Sequence, residues 1–589
     1  MFCMAKIAFM ARCQTGDELT ATDVKDVIWH GLTLDLSTAL YFLILPFLLT
    51  MVCVWWFHRT VINRILYAYW LIVAVAFSLA FVADCSLYPF WGFKLDASCL
   101  QYLSSPAEAT ASVSAGFLIL RLIILIGTTL LIFWGYVCPL RRTKTEDVPV
   151  RKKVYETLLY IFCLPVIIIG IRGGLGESTT NIGQVYFSQN QFLNHAAVNP
   201  VFSFLASFEK TASHIVDYHF YDDDECAAQI EDLYPITSTE TDTLLTTQRP
   251  NIVIVLMESA GDLFGEYMPN LQRLKAEGVN FSNCYGNTYR TDRGTVCTYS
   301  GYPSFPTSSV MKMPKKTAHL PSIASSLQRV GYHTYYLYGG DINFTNMRSY
   351  LVATGWEELT WKKGFSQQEQ GSAKWGVRDD ITFNALYQQI VEMPEDEHYL
   401  IGFSTLSSHD PWDVPVRQYE DKVYNAFYYL DLCIGDFIEK LKRTPQWNNL
   451  LIIVLPDHSM DYGTYTQAHR YRNKIPFVWT GGAVKFPQEI PVICNQTDLA
   501  ATLLGQLRLP HDDFRWSRDI LSCSYQYPFA IHQFNHGFAL TDSTGFIAYD
   551  LDALRFVTTE STQPQRLERM GKAILQATTE DLQTLGTKK

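Results

Sequence analysis

Asn251–Ser259 reads NIVIVLMES. Ile252–Leu256 is an unbroken apolar run, mostly β-branched, as a strand buried on both faces requires. Glu258 stands just past its end. Open α/β sheets bind ligands outside the carboxyl ends of their strands, so an acidic side chain there is a candidate metal ligand. A cap on the next helix is the plainer reading of the same residue.

Repetition downstream favours the ligand. Leu451–Leu455 ends in Pro456-Asp457-His458. Tyr399–Phe403 leads through Ser404–Ser408 to His409, and Tyr335–Tyr338 leads through Gly339-Gly340 to Asp341. As parallel neighbours, these strands would bring Glu258, Asp341, His409, Asp457 and His458 to one rim, the outline of a metal-assisted active site. Helical stretches such as Pro269–Gly278 and Pro321–Val330 alternate with the apolar runs, and Ile475–Trp479 supplies another strand. The fold class expected is therefore an α/β domain, a mostly parallel sheet sandwiched by helices. Beyond about residue 510 the chain is less regular, with aromatic-rich pieces such as Tyr525–Phe538 and no sign of a separate domain.

Upstream, the chemistry of the chain changes. Residues 37–57, 65–83, 117–138 and 154–171 are apolar blocks, the third interrupted by Arg121 and the fourth by Glu156. Crossing a bilayer takes roughly 20 apolar residues of helix, so these are four expected spans of an α-helical transmembrane domain over residues 1–172. Residues 1–12 are apolar but short and carry Lys6 and Arg12. They resemble the tail of a lost first helix or a poor signal segment. Arg121 is expected to snorkel to the near interface. Basic residues crowd the 139–153 loop and the 58–64 turn, which positive-inside reasoning places in the cytoplasm. Everything after residue 172 is then extracytoplasmic: a connector over 173–249 and a catalytic domain over 250–589. Asp222-Asp223-Asp224-Glu225 reads as a solvated helix start and Thr237–Pro250 as a linker.

A net charge of −11 argues against a nucleic-acid partner, and the thirteen cysteines show no CxxC pair. The stretch Gly286–Thr295 sets Thr291 between Arg290 and Arg293, ahead of a helix expected over Asp292–Ser300. Helix N-termini bind phosphate, and a bound cation activates a hydroxyl nucleophile. An N-cap threonine with solvent-facing arginines is the alternative. Beside Glu258 and Asp457-His458, the nucleophile is the better reading.

The order Met257-Glu258-Ser259, Thr291, His409 and Asp457-His458 resembles the lipoteichoic acid synthase branch of the alkaline phosphatase/sulfatase superfamily. The layout of membrane helices ahead of an outside catalytic domain resembles it too. The motif match covers roughly residues 250–510. The resemblance implies that Glu258, Thr291, Asp457 and His458 hold one divalent metal, manganese first, with magnesium or zinc as alternatives. It implies that Thr291 attacks a phospholipid phosphodiester and carries the headgroup phosphate covalently. His409 would contact the substrate or protonate a leaving oxygen, and Asp341 would line the headgroup pocket. The arginines would offset the substrate's negative charge, and His469 in QAHRYRNKIP is a candidate phosphate contact.

Two departures limit the carry-over. A sulfatase needs Cys or Ser in CxPxR, and Cys297-Thr298-Tyr299-Ser300-Gly301 does not fit, so sulfate-ester hydrolysis is not expected. The branch's aromatic-Asn-Arg element reads here Thr345-Asn346-Met347, with Arg348 one place late, which leaves Asn346 and Arg348 as substrate-binding candidates and the headgroup open. The expected function is a multi-pass enzyme of the bacterial inner (cytoplasmic) membrane, moving a phosphoglycerol-type group from a phospholipid donor to a glycan or lipid acceptor. Its rivals are a phosphoethanolamine transferase, a phosphodiesterase using water, and a non-catalytic membrane scaffold.

Overall fold

A computed structural model of the 589-residue chain describes residues 1–14, 19–55, 59–91, 94–95, 97, 99–100, 115–140, 149–176, 178–188, 190–210, 215–235, 241–394, 396–535 and 537–587. The chain divides into two compact units, Met1–His214 and Ile215–Lys589.

The first unit is helical: α1 (Phe2–Cys13), α2 (Ala21–Cys53), α3 (Arg59–Trp91), α4 (Ala115–Leu140), α5 (Val150–Arg172), α6 (Gln191–Ala197) and α7 (Pro200–Lys210). Four stretches in α2–α5, namely Ala21–Cys53, Thr60–Pro89, Gly116–Cys138 and Val150–Arg172, are long and apolar enough to cross a membrane. The expected spans fall on these helices, but α2 starts at Ala21 rather than at 37. A capping box sets that start: Asp23 N–H donates to Thr20 Oγ1 at 3.1 Å and Thr20 N–H to Asp23 Oδ2 at 2.8 Å. The first turns of α2 carry charges that a search for uncharged windows rejects. One of them, Asp35, is buried in an ion pair with Lys6 at 2.6 Å. Lys6 belongs to α1, whose Phe9, Met10 and Cys13 pack with Val27, Leu34 and Tyr88. Residues 1–12 are thus a packed helix of this unit. The Arg121 guanidinium lies 4.7 Å from the ring of Phe117, within two turns of the start of α4. Gly173, at φ 87°, closes α5 in the left-handed conformation that glycine adopts without strain. Residues 141–148 of the basic loop and 237–240 of the expected linker lie outside the described residues.

The second unit is built on an eight-stranded sheet. Its strands are β1 (Asn251–Met257), β2 (Val279–Tyr285), β3 (His333–Tyr338), β4 (Glu358–Trp361), β5 (Tyr399–Ser404), β6 (Leu450–Pro456), β7 (Val478–Thr480) and β8 (Gln488–Asn495), in the spatial order β4-β3-β5-β1-β6-β7-β2-β8. The runs singled out by sequence are four parallel neighbours, and Tyr338, Ser404, Leu256 and Leu455 stand in register across them. β1 shows why an unbroken apolar run is needed at the centre. Ile252, Ile254 and Leu256 enter one core and Val253, Val255 and Met257 the other. Each such burial contributes about 1.5–3 kcal/mol relative to exposure.

Eight helices of this unit carry the argument: α8 (Asp223–Leu233), α9 (Pro269–Glu277), α10 (Thr291–Ser300), α11 (Ile323–Gln328), α12 (Asp379–Glu392), α13 (Lys422–Leu441), α14 (Leu499–Gln506) and α15 (Pro564–Thr584). α9, α12 and α13 cover one face of the sheet; α10, α11, α14 and α15 contribute to the core on the other. The acidic run at Asp222 is the exposed first turn of α8, as its charges favour. α11 starts later than expected because Ser322, not Pro321, provides the cap, accepting Ser325 N–H at 3.0 Å.

Two features differ from the expectation. Ile475–Trp479 gives only the short β7, antiparallel to both neighbours. The connection from β6, residues 457–477, holds only the four-residue helix Arg470–Asn473 and no crossover helix to carry the chain back for a parallel return. Beyond residue 510 the chain forms a second, antiparallel sheet of four strands: β9 (Phe529–Phe534), β10 (Gly537–Asp542), β11 (Gly545–Asp550) and β12 (Arg555–Thr559). Phe529, Ile531, Phe538 and Leu540 join the same core as β1, so this sheet extends the domain.

Candidate active site

At the carboxyl rim, Glu258 follows β1 and Asp457-His458 follow β6, 4%, 1% and 7% exposed. Their ligand atoms all lie within 4.8 Å of one another. The parallel β1–β6 pairing puts both strand ends at the same height. Ser259 then turns the chain at φ 57°, a conformation costly for a residue with a Cβ. The turn lets Ser259 N–H donate to Asp457 Oδ1 at 2.9 Å, while Ser259 Oγ donates to Glu258 Oε1 at 2.7 Å.

Thr291 opens α10, with Arg290 in the N-cap position, so its hydroxyl is not used as a cap. Thr291 Oγ1 lies 3.2 Å from Glu258 Oε2 and 3.4 Å from His458 Nε2. α10 reaches the end of β6 through Gly294: a Cβ there would stand 2.0 Å from the carbonyl oxygen of Asp457. Gln496 Nε2 bridges the two elements, donating to Asp457 O at 2.7 Å and Thr298 Oγ1 at 3.1 Å. The loop before Thr291 rests on the second sheet. Asn287 donates through Nδ2 to Ile531 O at 3.1 Å and accepts Gln533 N–H at 2.8 Å. His532 Nδ1 contacts Gly286 O at 2.8 Å, and Tyr289 hydrogen-bonds Asn535.

These residues fit a divalent cation. His458 Nδ1 contacts Ser459 O at 3.0 Å; a carbonyl only accepts, so the proton sits on Nδ1 and Nε2 offers its lone pair to the cluster. Among the described residues, Asp457 Oδ2 is buried without a hydrogen-bond partner. Burial, with the neighbouring Asp457 charge, raises the pKa of Glu258; burial pushes Asp457 up to about 6 and lowers His458. Two buried carboxylates side by side need a positive charge to stay ionised. Glu258, Asp457 and His458, with Thr291 Oγ1, could hold it.

A cleft of about 820 Å³ opens over this cluster. Arg290, Arg293, Asp341 and His409 line it; Asn346, Arg348 and His469 do not. Asp341 influences the nearby Arg348, and Thr345 and Met347 take the lining positions on either side of Asn346. His469 instead accepts Tyr471 N–H at 3.3 Å and packs on Tyr465 and Tyr471. Arg293 donates to Phe305 O at 2.6 Å and Pro306 O at 3.2 Å, which occupies one side of its guanidinium. His409 Nδ1 contacts the carbonyl of Asp410 at 2.8 Å rather than the carboxylate, leaving Nε2 to accept. Its loop is fixed by buried Asp379, whose oxygens accept Leu406 N–H at 2.8 Å and Ser407 N–H at 3.1 Å and whose pKa burial lifts to about 7. Gln496, Asp379, Asn287 and the cleft residue Arg472 were not singled out by sequence: Asn287 and Gln496 do follow β2 and β8, but a neutral amide carries no ligand signal, and Asp379 and Arg472 do not follow a strand within a few residues.

Residues 250–509 match the model of the family described as Sulfatase. This stretch is similar to a sulfatase-family domain. An alkaline phosphatase superfamily protein from Vibrio parahaemolyticus superposes with TM-score 0.55 at 24% identity, over 62% of this chain and 98% of that one. The lipoteichoic acid synthase LtaP from Listeria monocytogenes does so with TM-score 0.52 at 18% identity, over 61% and 98%. Among curated proteins, phosphoglycerol transferase I of Citrobacter koseri is 24% identical over 304 residues, 46% of this chain and 39% of the relative. The protein of that name in Escherichia coli SMS-3-5 is 25% identical over 292 residues, 44% and 37%. The match thus spans about two fifths of the curated relatives' length. Within residues 250–509, Cys297 is fully buried and does not line the cleft.

Proposed function

We propose that this protein is a membrane-anchored phosphotransferase. It moves a phosphoglycerol-type headgroup from a phospholipid to a glycan or lipid acceptor through a covalent phospho-threonine. The observation that carries the reading is Thr291 Oγ1 within 3.4 Å of both Glu258 and His458, on the floor of a cleft. The names of the curated relatives and the membrane-capable helices support it. Residues 1–172 anchor the chain and residues 250–589 work on the extracytoplasmic side of the bacterial inner membrane, as loop charges favour.

In this reading Thr291, its hydroxyl proton lost to solvent beforehand, attacks the donor phosphorus as the alkoxide, the phosphorus–oxygen bond to diacylglycerol breaks, and His409, entering the step protonated at Nε2 as well as Nδ1, gives that oxygen the Nε2 proton. An acceptor hydroxyl then returns a proton to His409, attacks the phospho-threonine and releases Thr291. A divalent cation, manganese first, supplies when bound the positive charge that favours the alkoxide and offsets the substrate's anion. Asp341 and Arg290 face the headgroup from the cleft wall.

The test is mass spectrometry of the full-length protein incubated with phosphatidylglycerol. A glycerophosphate increment on the Thr291 peptide is expected, and Thr291→Ala should lower transfer by about three orders of magnitude. An ethanolamine phosphate increment from phosphatidylethanolamine alone would replace the donor. Unchanged turnover in Thr291→Ala would end the reading. A reporter fused after residue 250 should be active only outside the cytoplasm.

A further inference from the structure

The cleft holds four cations, Arg290, Arg293, Lys312 and Arg472, in different states. Arg293 is hydrogen-bonded to carbonyls, Lys312 lies 3.8 Å from Asp292, and Arg290 is exposed. Arg472 is 2% exposed, yet its side chain has one hydrogen-bond partner among the described residues: Nε donates to Asp461 Oδ1 at 2.8 Å. Asp461 is 48% exposed, so water weakens its hold on that charge. Among the described residues, Nη1 is buried without a hydrogen-bond partner.

The position of Arg472 is fixed from both sides. Its N–H donates to His469 O at 3.1 Å, and the following Asn473 O accepts Gly286 N–H at 2.8 Å, at the loop that leads to Thr291. Arg472 lines the same cleft as Glu258, Thr291 and His458. A buried guanidinium stays protonated, and leaving its donors unmatched costs free energy. A purely structural arginine satisfies them internally, as buried Arg518 does with the carboxylate of Asp498 and the carbonyls of Tyr527 and Phe529. Planar paired N–H groups are the geometry that matches phosphate oxygens.

We propose that Arg472 is a phosphate-binding residue of this cleft, gripping the non-bridging oxygens of the group bound over Thr291, with Asp461 holding the guanidinium by its far edge. Only the identity of the phosphate's owner rests on the transferase reading; the anion site stands on Arg472 itself.

The test uses full-length, manganese-loaded protein in detergent carrying Thr291→Ala, which prevents turnover, and titrates inorganic phosphate by calorimetry. Adding Arg472→Met should weaken phosphate binding at least tenfold, with Arg472→Lys in between. Adding Asp461→Asn, which removes a competing anion, should leave binding equal or tighter. Binding within twofold of the parent in a cooperatively melting Arg472→Met protein would overturn the proposal, and so would Asp461→Asn weakening it tenfold, the mark of a strut. If Arg472→Met does not melt cooperatively, the Asp461→Asn result decides. Because the probe binds without chemistry, failure to observe headgroup transfer would count against the transferase reading and leave this outcome readable.

Discussion

Asp457 gives the residue scale its sharpest test. In the metal-free protein burial holds its pKa near 6, against about 3.9 in an unfolded chain. The folded state therefore binds the proton more tightly. That contribution to stability is complete below about pH 4 and is lost as the pH rises through about 6. A cation binds the ionised form and reverses the trend. Thermal melts of chelated protein should decline from pH 4 to pH 7, and added manganese should raise the melting temperature more at pH 7 than at pH 5. Asp457→Asn should flatten the decline and abolish the metal's effect. The candidate ligands were legible in sequence because Glu258 and Asp457-His458 each follow an apolar run at once. Arg472 and Gln496 were not, because their roles depend on where loops return in space.

Helix α10 and strand β6 meet through one missing side chain. Gly294→Ala would drive a methyl group into the backbone oxygen of Asp457, where neither element can give way without moving a candidate ligand. The expected cost is about 1–3 kcal/mol of stability, seen as a lowered denaturation midpoint, together with weaker metal binding by calorimetry. An Ala substitution at an exposed helix glycine would stabilise instead. At this scale the parallel strands could be read from the sequence, since both faces of β1 are buried and the run had to be apolar throughout. The start of α2 could also have been read: Thr20 and Asp23 stand at the capping-box spacing, but the charges after them hid it. The run Ile475–Trp479 could be read as a strand, but its antiparallel direction could not, because direction depends on the connection and not on composition.

Across the whole second unit, the sheet β9–β12 carries no candidate ligand, and its sequence gave no strong period-2 signal over Tyr525–Phe538. Yet it holds the loop ahead of Thr291 through Asn287, Gly286 and Tyr289. Asn287→Ala should lower kcat with little change in the melting curve of the membrane unit, measured by turnover and by calorimetry on the same sample.

The family match stops at residue 509, while the contacts that seat the threonine loop come from residues 531–535. Similarity and self-sufficiency therefore end at different places in this chain. Anyone who trims it to the recognisable portion discards the shelf on which the proposed nucleophile rests. An inactive trimmed fragment would then testify to the missing shelf, not to the chemistry of the intact enzyme.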